Sequence, residues 1–111
     1  MKAYTDIEQS KKLEEILPFE SADMYYPNRI DIKYQGALPI EYKHGNPLLS
    51  QEIAAWSLAA LFDYLLVNQG VIVKSLDRQW EVDCIVHVEY GKELVDACVE
   101  VIIKLHEQKL L

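Results

Sequence analysis

The chain has 111 residues, half of them apolar, with 18 acidic against 11 basic side chains and a formal net charge of −7. Size and hydropathy suit one hydrophobic core closed without staples, so a single domain over residues 1–111 is expected, and the apolar content argues against intrinsic disorder. The acid excess is spread along the chain with no basic patch, which argues against direct binding to nucleic acid.

Cys84 and Cys98 are the two cysteines, too few for a disulfide framework. No apolar h-region follows the first residues, so no signal peptide is read there. The most apolar stretch, residues 53–67, is interrupted by Ser57 and Asp63. It falls short of the roughly 20 residues a bilayer crossing needs. These features lead to an expectation of an acidic, soluble, cytoplasmic protein with no membrane contact.

The first helix is expected to start at Thr5, which has capping-box spacing to Glu8, and to stop at Pro18. Leu13, Ile16 and Leu17 supply its apolar face. Met24, Tyr25 and Tyr26 have strand character, limited by Pro27 to an edge or a short extended segment. Residues 29–34 alternate cleanly, with Ile30, Ile32 and Tyr34 on one face. Residues 35–36 suggest a turn, 38–43 a second strand weakened by Pro39, and 44–47 a loop.

Ser50 is the expected N-cap of a central helix running to Val67, with Glu52 in its first turn. Ala54, Leu58, Leu61, Phe62, Leu65 and Leu66 form one apolar face at helical spacing. A second side carries Ile53, Trp56, Ala60, Tyr64 and Val67. Residues 71–76 read as a strand, Asp77 and Arg78 as a turn, and residues 80–90 as one long strand. In that strand Trp80, Val82, Cys84, Val86, Val88 and Tyr90 share a face. Gly91 breaks it, and a helix over residues 93–109 points Leu94, Cys98, Val101, Ile102 and Leu105 inward, with a Glu100–Lys104 pair outside. The expected class is α+β: a mostly antiparallel sheet of about four strands with helices on one face, in the order α-β-β-α-β-β-α.

Two stretches carry a resemblance. One is Trp56-Ser57-Leu58-Ala59-Ala60-Leu61. The other is Asp96-Ala97-Cys98-Val99 with Ile103-Lys104-Leu105-His106-Glu107. With Lys2-Ala3-Tyr4-Thr5-Asp6 and Glu20-Ser21-Ala22-Asp23-Met24, they resemble an uncharacterised family of short gut-bacterial, prophage- and mobile-element-associated proteins of unknown function. The resemblance covers both ends and the central segment. It implies a bacterial cytoplasmic origin and carries no functional residue across.

No catalytic constellation is visible. Cys84 and His87 have odd spacing, which on one strand sets them on opposite faces. Cys98 and His106 are two helical turns apart, about 12 Å along the axis. No metal and no cofactor are therefore expected. Asp63, with His44 or His87, is the one acid–base combination worth naming, against the plainer reading that Asp63 marks where its helix meets water. Aromatic side chains invite a binding reading: Trp56, Ala60 and Tyr64 follow i, i+4, i+8 spacing, and Tyr25 and Tyr26 lie in the irregular first half. The plainer reading makes Trp56 and Tyr64 core residues. The expected function is a small non-enzymatic protein-interaction module, with a protein partner or self-association through the central helix. The alternatives are an acidic mimic of nucleic acid that acts on a basic host protein, and a small enzyme with a site assembled from distant residues.

Overall fold

Asp6, not Thr5, caps the first helix. Its carboxylate accepts from the Gln9 N–H at 2.8 Å, and the Gln9 side chain returns a bond to the Asp6 N–H at 3.1 Å. The capping box is thus shifted by one residue, because Thr5 is drawn into the core. A computed structural model describes residues 2–26, 41–42, 53–68, 70–84 and 87–109. The expected strand over 29–34, the turn at 35–36 and the loop at 44–47 lie outside the described residues, as do Val86, Ser50 and His44.

The described elements are α1 (Ile7–Glu14), β1 (Met24–Tyr26), β2 (Glu41–Tyr42), β3 (Ile53–Ala55), α2 (Leu58–Asn68), β4 (Val71–Leu76), β5 (Gln79–Cys84), β6 (His87–Gly91) and α3 (Leu94–Glu107). A short 3-10 turn, Phe19–Ser21, follows Pro18. The described residues make an α+β fold with three helices and two antiparallel sheets, ordered β2-β1-β3 and β4-β5-β6. The class expected from sequence holds. The single sheet of about four strands and the order α-β-β-α-β-β-α do not.

Two elements differ from expectation, each for a local reason. The central helix begins at Leu58, seven residues later than expected from an N-cap at Ser50, because residues 53–55 form a strand paired with β1. β1 is short, as Pro27 suggests, yet it lies in the middle of its sheet and not at an edge. Ser57 caps α2: its hydroxyl accepts from the Ala60 N–H at 3.1 Å. Asp23 holds Ser57 in turn, taking its N–H at 2.9 Å and its hydroxyl in a short bond.

The long strand expected over 80–90 is two strands. Cys84 is paired across from His87, so the chain reverses between them. That reversal shifts the alternation by one position. Val82 and Cys84 face the core, whereas Val88 and Tyr90, expected beside them, are exposed. His87 is therefore the cross-strand partner of Cys84 and not a later residue of the same strand.

One buried cluster joins Leu13 and Leu17, Trp56, Leu61 and Leu65, Val82 and Cys84, and the inner side of α3. It spans both sheets. The expected inward residues of α3 are all buried. Lys104 pairs with Glu107 at 3.6 Å, where Glu100 was the expected partner. No described helix is long and apolar enough to cross a membrane.

Candidate functional site

The aromatic stripe proposed from spacing does not lie on one helix. Trp56 precedes α2 and has no exposed surface; its indole N–H donates to Ser21 Oγ at 2.9 Å, and Ser21 passes the bond to the Pro18 carbonyl at 2.6 Å. Ala60 and Tyr64 are half-buried on α2, packed against the main core. Tyr25 is half-buried in β1. Tyr26 is buried, donates to the Thr5 carbonyl at 2.8 Å, and has its phenol pushed up to about 12, chiefly by burial. Tyr26 thereby ties the first sheet to the N-terminal segment. These residues do not form a common surface.

The acid–base combination lies mostly outside the described residues. Asp63 is exposed on α2, His44 lies outside the described residues, and the His87 side chain is likewise outside them. Cys98 is buried, which drives its thiol up to about 12, the opposite of an activated nucleophile. Among the described residues, no group of three or more His, Cys, Asp or Glu could hold a metal ion.

The surface that sequence reasoning missed is the outer face of the β4-β5-β6 sheet. Directly opposite residues on antiparallel strands share a face. Register therefore defines two rows across it: Ile72, Asp83 and Val88, then Lys74, Glu81 and Tyr90. Leu76 stands beyond them, opposite Gln79. α3 packs on the other face along β5 and β6 and α2 adjoins β4; there Val82 and Cys84 are buried and Val71, Val73 and Trp80 are partly so. On the outer face Ile72 is 61% exposed, Tyr90 48%, Val88 39% and Leu76 38%.

Charge is concentrated at the centre. Glu81 lies between Lys74, at 3.8 Å, and Tyr90, whose phenol is raised by the Glu81 charge and by its hydrogen bond to that carboxylate. Asp83, half-buried between Ile72 and Val88, has no ion pair among the described residues. The arrangement is an acidic central strand with apolar flanks. The signal that could have found it is the apolar Ile72 and Leu76 at the polar positions of a strand whose Val71 and Val73 already supply an inward face.

Comparison of the chain with protein-family models, with curated proteins and with solved structures finds no match.

Proposed function

We propose that this protein is a non-enzymatic interaction module that docks a protein partner on the outer face of β4-β5-β6. The observation that carries the reading is the set of exposed side chains Ile72, Val88 and Tyr90 around Asp83 and Glu81. Apolar groups exposed together on a sheet whose other face is already covered mark an interaction site. The acids define the partner's chemistry: a segment that presents a lysine or arginine among apolar residues. A second copy is a poor occupant of this face, because a two-fold face-to-face contact brings Glu81 and Asp83 against their own equivalents. The net charge of −7 agrees with a basic partner, and the prophage-associated resemblance fits a protein that acts by binding a host component.

The test is calorimetric titration with two synthetic peptides, one alternating lysine and leucine and one alternating glutamate and leucine. The lysine peptide should bind the wild type, the glutamate peptide should not, and Asp83→Lys should weaken the lysine peptide by roughly tenfold or more. Equal binding of both peptides, or no effect of Asp83→Lys in a folded variant, would refute the reading.

A further inference from the structure

We infer that a second copy of this chain adds to the edge of β4 that no described strand pairs with, joining two three-stranded sheets into one of six. The inference is independent of the docking face, since it uses the edge of the sheet and not its surface. β4 is at the end of the order β4-β5-β6, and among the described residues no strand pairs with its other side. Its register with β5 runs one-to-one over all six residues, Val71↔Cys84 to Leu76↔Gln79, so no bulge twists it away. It contains no proline, and Lys74 is its one charge. Such an edge is a template for another strand.

β3 and β6, two other edge strands, are treated differently. Beside β3, the Glu14 carboxylate takes the Ala54 N–H at 2.8 Å. The N-terminal segment then closes the following residues: Thr5 N–H donates to the Trp56 carbonyl at 3.0 Å and Leu58 N–H to the Ala3 carbonyl at 2.9 Å. β6, the other edge of the second sheet, carries Glu89 on its core-facing row, a charge of the kind that blunts strand pairing. β4 has neither device.

Register and charge select how the copies pair. Opposite residues must share a face, so a two-fold axis between antiparallel β4 strands passes beside a residue and not between two. Only axes at Val73 or Lys74 overlap five of the six residues. An axis at Lys74 sets ammonium against ammonium. An axis at Val73 sets Val73 beside its own copy and Lys74 beside Ile72 of the second copy, where its methylenes lie over the aliphatic chain. The outer row then reads Asp83, Ile72, Lys74 of the second copy and Glu81 of the second copy, with no like charges adjacent. The two outer faces become continuous, and Asp83 stays two strands, about 10 Å, from the nearest new ammonium.

The experiment is sedimentation of the full chain with paired cysteine cross-linking. The wild type should be a dimer at high micromolar concentration. Ile72→Lys places a charge opposite Lys74 twice over and should raise the dimer dissociation constant by more than about tenfold. Val73→Cys should form an intermolecular disulfide on mild oxidation. Lys74→Cys should not, because its Cα atoms would be about 8 Å apart, beyond bridging range. The cross-link keeps the inference testable if Ile72→Lys fails to fold. A monodisperse wild-type monomer, a dimer indifferent to Ile72→Lys, or preferential cross-linking through Lys74→Cys would each overturn it.

Discussion

Thr5 shows how much one side chain fixes. It is fully buried, its hydroxyl accepts from the Trp56 N–H at 3.1 Å and shares a 2.8 Å bond with Ser10 Oγ, and its carbonyl takes the Tyr26 phenol. Thr5→Val keeps the shape and removes the hydroxyl, leaving the Trp56 N–H and the Ser10 hydroxyl without that partner. Unsatisfied buried groups of this kind cost about 1–3 kcal/mol. Urea denaturation should show a loss in that range, and an unchanged midpoint would mean that the network contributes nothing. Gly91 is constrained by space. A Cβ there would come within 2.7 Å of the Ala97 N and 3.0 Å of the Glu93 carbonyl, both backbone atoms of the turn into α3. Gly91→Ala should therefore destabilise by about 2 kcal/mol through overpacking, read as a lower melting temperature, whereas a stable variant would place α3 farther from the strand.

At the scale of elements, what the sequence discloses depends on whether period and punctuation agree. The strand at 71–76, the turn at Asp77 and Arg78, and the inward positions of α3 are legible because apolar spacing and turn residues coincide there. The start of α2 is not. Ile53-Ala54-Ala55-Trp56 is an apolar run without a period, and such a run suits a strand or a helix equally. Ser50 with Glu52 offers a cap signal at the wrong place, and the working cap, Ser57, is hidden inside the run. The break between β5 and β6 is illegible for the opposite reason. Alternation continues through Val86, Val88 and Tyr90, and Ile85-Val86 contains none of the Gly, Asn or Asp that mark hairpin loops. An unbroken pattern thus conceals a reversal, and it hides the candidate docking face, because that face exists only once Val88 and Tyr90 are turned outward. The aromatic stripe fails with the helix that was to carry it. Trp56 serves as a core anchor, tied through Ser21 to Pro18.

The whole molecule is held at one end by a charge cluster. Lys2 Nζ reaches Asp96 at 2.7 Å and Asp6 at 3.0 Å, and the Lys2 backbone N–H donates to Glu93, so the N-terminal segment, α1 and the start of α3 share one knot. Burial alone would lower the Lys2 ammonium, but its bonds to Asp96 and Asp6 outweigh this and raise it above its ordinary 10.5. Burial would likewise raise Asp6, and the Gln9 N–H and Lys2 together hold it below 3.8. The Asp6 contribution is complete above its unfolded value and is lost as pH falls through the lowered folded one. The Lys2 contribution is complete below its unfolded value and is lost as pH rises through the raised folded one. These groups are partly exposed, so Lys2→Met should cost no more than about 1 kcal/mol near neutral pH. The difference from wild type should fade as pH falls below the ordinary 3.8 of an aspartate and as it rises above the ordinary 10.5 of a lysine in denaturation series; a difference that does not vary with pH would assign the effect to packing. The candidate docking surface is the outer face of β4-β5-β6, an acidic strand with apolar flanks. Amide chemical-shift mapping with the alternating lysine–leucine peptide tests it most directly. Shifts confined to Ile72, Lys74, Glu81, Asp83, Val88 and Tyr90 are predicted, and shifts centred on α2, α1 or the first sheet would contradict it.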